Sequence, residues 1–262
     1  MIERRRFLAG LGLAPVVAAM PAWAQANDDF DAVRALGQQL IDDGVAPGLQ
    51  LSVRKGPDLV FSQGFGTANI ETATPLTSRT GMRIGSVTKQ FTTATLLLLE
   101  QDGLLSTSDT LDKFLPSVPR GGDISLLRMM NHTSGLGNYT DVEDPRDFFQ
   151  AGRVDRPTAE MVEWLLTRPN LMVFEPGTGW AYSNTAFVLL GAVIEAAAGK
   201  PWEVVMRERL FGPLGLIETA VDDPADIVIG RASGYTLAEP PDAETPLRNA
   251  SYLSMSFPGA AG

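Results

Sequence analysis

Ser86 and Lys89 are the pair of residues in this sequence with the clearest chemistry. They stand three positions apart, just before a run from Thr92 to Glu100 that predicts a helix ending at Gly103. Three positions are close to one helical turn, so both side chains should point off the same face. Ser86 then lies at a helix N-terminus, where unpaired N–H groups favour negative charge. A hydroxyl beside an amine there suits a serine nucleophile with a lysine partner, although Ser is also a favoured N-cap residue.

Three further segments carry residues that could complete such a site. Tyr182-Ser183-Asn184 follows a turn-rich loop from Phe174 to Trp180, and loops held by rigid elements commonly present catalytic groups. Leu126 to Leu136 is typical of a helix end that continues into a Gly-containing loop, and it includes His132. Phe211 to Leu216 is the third segment. The turn-rich approach and the neighbouring Asn favour Tyr182 as a functional side chain over a plain core aromatic.

Composition excludes several kinds of site. The 262 residues are 44% hydrophobic, which is ordinary for one large globular domain or two small ones. There is no cysteine, so a zinc-thiolate site, a disulfide framework and a Cys nucleophile are excluded. The single histidine excludes a multi-histidine metal site. No metal and no cofactor is predicted, and Asp141, Glu143 and Asp144 are interpreted as a solvated loop rather than a calcium site or a glycosidase pair.

The N-terminus has the features of an export signal with a twin-arginine look. Arg4-Arg5-Arg6 precedes an apolar run from Phe7 to Met20, which is too short to span a membrane. Either Ala22-Trp23-Ala24 or Ala24-Gln25-Ala26 supplies a small-residue cleavage site. We therefore predict a signal peptide over residues 1–26 and an exported, periplasmic or extracellular product. Without those residues, the net charge changes from −10 to −12, which argues against binding to nucleic acid or to anionic membranes.

The order of elements predicts an α+β fold, in which an antiparallel sheet and a mostly helical region share a cleft. Alternation predicts a hairpin of two strands, Leu49–Val53 and Leu59–Phe65, joined by a turn at Gly56-Pro57-Asp58. A tendency toward strands and loops returns at Ile227–Leu237 and Tyr252–Phe257. Apolar spacing and end signals predict helices at Asp28–Asp43, after Ser86, at Asp109–Phe114, Ile124–Met130, Thr158–Thr167 (with Thr158 as N-cap), Asn184–Ala198 and Pro201–Leu210.

These motifs together resemble the serine hydrolase superfamily of class C β-lactamases, D-alanyl-D-alanine carboxypeptidases and related esterases. Ser86-Val87-Thr88-Lys89 resembles the family's Ser-x-x-Lys motif, and Tyr182-Ser183-Asn184 its Tyr-x-Asn motif. His132-Thr133-Ser134-Gly135-Leu136 resembles its His-Thr-Ser-Gly loop. The likeness runs from about Val45 to about Val221. It implies a β-lactamase/transpeptidase-like fold and a partial hydrolase domain over residues 27–262.

One departure from the family pattern concerns its third motif. The family places Lys or His, one further residue and Gly on a strand near the C-terminus, but no such triplet follows Tyr182 here. That strand also supplies one N–H of the family's oxyanion hole, and losing one donor costs about a hundred- to a thousand-fold in rate. The final run, Phe257 to Gly262, shows no helix end, strand partner or charged tail. We therefore expect the chain to lack its C-terminal part.

The resemblance implies a role for each site residue. Ser86 would attack a carbonyl and form an acyl-enzyme that water hydrolyses. Either a neutral Lys89 takes the proton, or a cationic Lys89 lowers the pKa of Tyr182 so that the phenolate is the base. Tyr182 would then pass a proton to the leaving group. Asn184 would orient the substrate amide or Lys89, and it could equally be the N-cap of the following helix.

Alternatives remain at the level of sequence. A Ser-His-Asp arrangement with His132 and either Ser86 or Ser134 is disfavoured, because no Gly-x-Ser-x-Gly elbow is present and the family's histidine is structural. The expected substrate is a small ester, a β-lactam or a peptidoglycan peptide, with esters and D-Ala-D-Ala peptides slightly favoured over β-lactams. The rival hypothesis is a non-catalytic protein that binds peptidoglycan peptides.

Overall fold

The computed structural model describes residues 30–223, 226–237, 247–254 and 256–262. The predicted export signal, residues 1–26, lies outside the described residues. The described residues divide into two compact units: those from 30 to 81 together with 230–233, and those within 82–229 together with those within 234–262. Both helices and antiparallel strands are present, so the predicted α+β class and β-lactamase/transpeptidase-like fold are confirmed.

The first unit is a helix packed on a small antiparallel sheet. Helix α1 spans Asp31–Asp42, and Gly44 follows it with φ +69°, in the left-handed conformation that glycine accepts without strain. Strand β1 (Gly48–Lys55) pairs with β2 (Asp58–Asn69) in a register that runs from Gly48 opposite Gly66 to Lys55 opposite Asp58. The predicted hairpin is therefore confirmed, although both strands are longer than predicted.

A third short strand and a returning segment complete this unit. Strand β3 (Thr74–Pro75) pairs with β2, which gives the order β1-β2-β3. The Ser233 N–H donates to the Ala68 carbonyl at 2.9 Å, so residues 230–233 also attach to this unit. The extra pairing supports a hairpin that would be only marginally stable by itself.

The second unit is mostly helical. Its α-helices are α2 (Thr88–Gln101), α3 (Leu126–Met130), α4 (Pro145–Ala151), α5 (Thr158–Leu166), α6 (Asn184–Ala198) and α7 (Trp202–Met206), the last continuing as a π-helical turn over Arg207–Phe211. Shorter 3-10 helices cover Gly85–Val87, Leu111–Lys113, Gly121–Asp123 and Gly259–Ala261. Two strands, β4 (Tyr235–Leu237) and β5 (Leu247–Asn249), pair as a hairpin. Tyr252–Phe257 forms no strand in the described part of this segment.

Helix α6 is the centre of this unit. Every residue from Thr185 to Ile194 is buried, because the helix is apolar on all sides rather than along one stripe. Helices α2, α3, α5 and α7 pack around it. Its bounds agree with the predicted ones, and Gly199 ends it with φ +67°. The long apolar run therefore fixes the start of α6, and with it the position of the preceding Tyr182.

The predicted N-cap of α5 is wrong. Pro157 occupies the cap position and Thr158 is the first helical residue. The Thr158 hydroxyl instead donates to Oε1 of Glu195 on α6 at 2.9 Å. A half-buried carboxylate needs donors, so this tertiary bond takes the hydroxyl away from the helix end.

The final residues, Ser256–Gly262, contribute Phe257, Ala260 and Ala261 to the core. The sequence pattern predicts no element in this run, but Gly259–Ala261 forms a short 3-10 helix that packs against α6 and α2. Phe257 is 1% exposed, and its ring lies 5.1–5.4 Å from the rings of Tyr139, Phe148 and Trp164. No helix among the described residues is long and apolar enough to span a bilayer.

Candidate active site

The second unit brings Ser86, Lys89 and Tyr182 into hydrogen-bond contact. Ser86 lies in the 3-10 helix that leads into α2, and its side chain is exposed. Its Oγ lies 3.2 Å from Lys89 Nζ and 2.6 Å from the Tyr182 hydroxyl. A nucleophile within hydrogen-bond reach of two groups that can exchange protons is the geometry that covalent catalysis requires.

Lys89 is held by three acceptors. It is the second residue of α2, one turn after Ser86, and only 7% exposed. Besides Ser86 Oγ, Nζ donates to Asn184 Oδ1 and to the main-chain carbonyl of Ala261, each at 2.6 Å. An ammonium group has three N–H donors, which matches the number of these acceptors. Nζ also lies 4.8 Å from the centre of the Tyr182 ring.

Burial and charge change the proton affinities of Lys89 and Tyr182. Burial lowers the pKa of Lys89, and the neighbouring Tyr182 hydroxyl only partly offsets this. Burial by itself raises the pKa of Tyr182. The hydrogen bonds with Lys89 and Ser86, together with the charge of Lys89, outweigh that effect and leave the Tyr182 pKa below its ordinary value. Both side chains therefore hold their protons less tightly than they would in water, which suits groups that exchange protons near neutral pH.

Tyr182 is delivered by a loop that is anchored on both sides. Gly177 N–H donates to the Thr133 carbonyl at 2.8 Å, and Ala181 N–H donates to the His132 carbonyl at 3.1 Å. Ser183 is the N-cap of α6, since its Oγ accepts from Ala186 N–H at 3.1 Å, and the same Oγ donates to the Gly137 carbonyl. Tyr182 is therefore fixed between a loop and a helix start, with its side chain 37% exposed.

Asn184 is the first residue of α6 and not its N-cap, because Ser183 has that role. Its Oδ1 accepts from Lys89, while its Nδ2 donates to Thr140 Oγ1 at 3.3 Å. Asn138 Oδ1 accepts the Asn184 N–H at 3.1 Å. Of the two groups that Asn184 was predicted to orient, the structure shows a contact with Lys89, and the role toward a substrate amide stays a prediction.

The histidine-based alternatives have little geometric support. Nδ1 of His132 accepts the N–H of Ser183 at 3.2 Å, so that nitrogen is occupied by the backbone. Ser134 is 1% exposed, and its Oγ accepts the Leu136 N–H. A buried, turn-stabilising hydroxyl is a poor candidate for a nucleophile. The Ser86 hydroxyl, in turn, is bonded to Lys89 and Tyr182.

Two other segments singled out in the sequence have structural roles. Phe211 packs edge-on against Phe91 of α2, with ring centres 5.5 Å apart, and belongs to the core. Asp144 is the N-cap of α4, and Asp141 accepts from Asn138 Nδ2 at 2.8 Å. Among the described residues, no group of three or more acidic or histidine side chains is placed to hold a metal ion.

Sequence reasoning missed the Ala261 carbonyl, Thr140 and Asn138. A main-chain carbonyl has no side-chain type by which a pattern could identify it. Thr140 and Asn138 stand beside Asp141, Glu143 and Asp144, in a segment that the sequence pattern predicts to be a solvated loop. In retrospect, the position of Asn138 and Thr140 shortly after the His-Thr-Ser-Gly loop was the one available signal.

The fold of the chain is shared with solved amidases. The D-amino acid amidase from Ochrobactrum anthropi SV3, complexed with L-phenylalanine amide, is 28% identical and superposes with a TM-score of 0.73, over 88% of this chain and 65% of that one. Penicillin-binding protein 4* of Bacillus subtilis (strain 168) is 33% identical over 170 residues, which are 64% of this chain and 36% of that protein. A D-aminopeptidase of Brucella anthropi is 32% identical over 196 residues, 72% of this chain and 35% of that protein.

The family is established by a match over most of the chain. The sequence model of the Beta-lactamase family matches residues 33–262. The chain therefore belongs to the Beta-lactamase family, within the serine hydrolase superfamily, and the resemblance drawn from the motifs is confirmed. The chain spans about a third of the length of the two curated relatives.

Proposed function

We propose that this protein is a serine hydrolase in which Ser86 attacks a substrate carbonyl and forms an acyl-enzyme. The observation that carries the proposal is the contact of Ser86 Oγ with both Lys89 Nζ, at 3.2 Å, and the Tyr182 hydroxyl, at 2.6 Å. Membership of the Beta-lactamase family supports the same chemistry. Water then hydrolyses the acyl-enzyme and frees Ser86.

The surroundings of Lys89 favour Tyr182 as the general base. Three acceptors around Nζ match the three donors of an ammonium group, which supports a Lys89 that stays cationic. That charge favours the Tyr182 phenolate, which takes the Ser86 proton across their 2.6 Å contact. The same Tyr182 then gives the proton to the leaving group, since it is the group that received it. The Ser86 N–H, at a helix start, supplies one donor to the developing oxyanion.

The proposed substrate is an ester, or an amide next to a D-configured residue such as a D-Ala-D-Ala peptide, ahead of a β-lactam. Two relatives are named for activity on D-amino acid compounds, a D-aminopeptidase and a D-amino acid amidase. A third is named a penicillin-binding protein. Ester, amide and β-lactam carbonyls all pass through the same acyl-enzyme, so the choice among them is a matter of pocket shape.

The second candidate function is a binding protein for peptidoglycan peptides that has lost turnover. One relative, 33% identical over 170 residues, is named a penicillin-binding protein, a name that states binding and no turnover. Such a protein would hold a peptide without forming a covalent bond to Ser86.

Covalent labelling separates the two functions. The protein would be incubated with a fluorophosphonate and, separately, with benzylpenicillin, and its intact mass measured over time. The hydrolase proposal expects a stoichiometric mass increase that maps to Ser86 and disappears in Ser86→Ala. An unchanged mass combined with saturable binding of a D-Ala-D-Ala peptide, retained in Ser86→Ala, would establish the binding protein instead.

We further propose that residues 27–262 carry the hydrolase domain and that residues 1–26 direct export. The three arginines, apolar run and small-residue cleavage site support this. The N-terminal sequence of protein recovered from the cell envelope or medium tests it. A first residue near Gln25 or Asn27 is expected, and intact residues 1–26 on a cytoplasmic product would refute it.

A further inference from the structure

We propose that His132 is a positioning residue that fixes Tyr182 against Ser86, and that it does so only in its neutral form. This inference rests on the proposed function, because Tyr182 is the group it positions. It adds a role for a residue that the reaction itself does not use.

His132 contacts three consecutive residues with Tyr182 in the middle. Its main-chain carbonyl accepts the N–H of Ala181 at 3.1 Å. Its Nδ1 accepts the N–H of Ser183 at 3.2 Å, and its ring lies 4.7 Å from the Tyr182 ring, at an angle of 35°. His132 therefore holds the backbone on both sides of Tyr182 and also packs against the Tyr182 ring.

The backbone of His132 is itself in an unusual conformation. Its φ is +64°, a left-handed value that few non-glycine residues adopt and that His, Asn and Asp tolerate best. The next residue, Thr133, accepts the Gly177 N–H through its carbonyl at 2.8 Å. The conformation thus turns two successive carbonyls toward the loop that carries Tyr182.

The bond to Ser183 determines which form of the imidazole can do this. A backbone N–H is always a donor, so Nδ1 must present its lone pair and the proton of neutral His132 must be on Nε2. Protonation would place a second donor at Nδ1, facing the Ser183 N–H. Ser183 is fully buried, so its N–H would lose its acceptor without access to water. The residues around Tyr182 would then have to move.

The charges around the imidazole also favour the neutral form. Burial lowers the pKa of His132, and the positive charge of Lys89 on α2 lowers it further. Tyr182 is the other titratable group that faces the ring. The remaining rings packed on it in the described structure, Trp180 and Phe187, have no titratable group in this pH range.

The chain permits a conservative test, His132→Asn. Asn tolerates a positive φ, and its Oδ1 lies where Nδ1 of His would, so it keeps the acceptor for Ser183 but cannot be protonated. The matched variant, His132→Ala, loses the acceptor. Phosphonylation of Ser86 by a fluorophosphonate, in which the serine oxygen displaces fluoride from phosphorus, would be followed for each protein from pH 4.5 to pH 9, with circular dichroism to verify folding.

The positioning role predicts a specific pattern of rates. His132→Ala should react with the fluorophosphonate roughly a hundred-fold more slowly at pH 8, whereas His132→Asn should stay within about threefold of the original protein. The reaction rate of the original protein, divided by that of His132→Asn, should be constant above neutral pH. This ratio should decrease as the pH is lowered below neutral. Equal loss in both variants, or a pH-independent ratio, would overturn the proposal. Because His132→Ala can disturb the loop as a whole, the His132→Asn comparison decides.

A second readout does not depend on activity. His132 is the only histidine in the chain, so its ring nitrogens give a single set of NMR signals in uniformly ¹⁵N-labelled protein. The proposal expects the Nε2–H form and a pKa below the usual value of about 6.5. An Nδ1–H form would overturn it. If Ser86 does not react, the proposed function is refuted. The NMR measurement still decides whether the Ser183 N–H donates to His132.

Discussion

Lys89 Nζ donates to the main-chain carbonyl of Ala261 at 2.6 Å, across 172 positions of sequence. One turn further along α2, the hydroxyl of Thr92 donates to the Ala260 carbonyl at 2.7 Å. Both carbonyls come from the same 3-10 helix, Gly259–Ala261, and both groups come from one face of α2. Lys89, the partner of the candidate nucleophile, is therefore oriented partly by a main-chain carbonyl, which no side-chain substitution can remove.

Replacing Lys89 tests its role as the cation of the site. Lys89→Met keeps the length of the side chain but removes the charge and all three donors. Acylation of Ser86 should fall roughly a thousand-fold, and the pKa of Tyr182 should rise because the ammonium no longer stabilises its phenolate. Spectroscopic titration of tyrosine absorbance should show one fewer tyrosine with a lowered pKa in Lys89→Met than in the original protein. The control is Lys113→Met, which removes an exposed lysine paired with Asp109. It should change neither the acylation rate of Ser86 nor the pKa of Tyr182.

Removing one tyrosine hydroxyl tests proton transfer. Tyr182→Phe keeps the ring against His132 and deletes the hydroxyl that contacts Ser86 and Lys89, so acylation should slow by about a hundred- to ten-thousand-fold with little change in stability. Stopped-flow or mass-based acylation rates would measure it.

The matched control is Tyr139→Phe. The Tyr139 hydroxyl is buried and donates to the Phe257 carbonyl at 3.0 Å. Its removal leaves the Phe257 carbonyl without that donor, so the free energy of unfolding should fall by about 1–3 kcal/mol while acylation stays nearly unchanged. Comparable rate losses in the two variants would contradict the role assigned to Tyr182.

Glu195 should make stability depend on pH with a defined sign. Burial raises its pKa, and the bonds from Thr158 and the Trp202 N–H only partly compensate. The folded state therefore binds this proton more tightly than the unfolded state does. This contribution to stability is present in acid and is lost as pH rises from the unfolded pKa, about 4.3, through the folded one.

Glu195→Gln isolates this effect, since Gln keeps an acceptor oxygen for both donors but does not titrate. The difference in Tm, variant minus original, should increase as pH rises from 4 to 7 and then level off. Thermal unfolding of both proteins across that range measures it, and the titration of all other groups cancels in the difference. A difference that shrinks with rising pH would contradict the assignment.

Gly135 is a steric requirement of the loop that carries the His-Thr-Ser-Gly motif. Its φ is +78°, and an added Cβ would lie 2.2 Å from the carbonyl oxygen of Phe174. Gly135→Ala should lower the free energy of unfolding by more than about 1 kcal/mol and displace the loop that leads to Tyr182, which would also slow acylation.

A control for this prediction is Gly199→Ala. Gly199 has φ +67°, but an added Cβ there meets nothing within 4 Å, so only the backbone strain applies. Chemical denaturation should show a smaller loss for Gly199→Ala than for Gly135→Ala. Equal losses would mean that the close approach to Phe174 has no energetic consequence.

Much of the local structure followed from the sequence. The apolar run and Gly199 define α6 as Asn184–Ala198, and alternation with a Gly-Pro turn defines the β1–β2 hairpin. The proximity of Ser86 and Lys89 also followed, because three positions on a helix bring two side chains to one face. These features depend on neighbours along the chain, so a local pattern is sufficient to predict them.

The remaining contacts were decided by tertiary packing. Tyr182 reaches Ser86 across 96 positions, and His132 accepts from Ser183 across 51. The Thr158 hydroxyl bonds to Glu195 and does not cap its own helix. Ser183, and not Asn184, is the N-cap of α6. Such partners are set by how helices and loops pack on α6, and by the need of each buried donor and acceptor for a partner. The sequence by itself therefore determined the family and the candidate residues, whereas only the packed chain decided which groups surround Lys89.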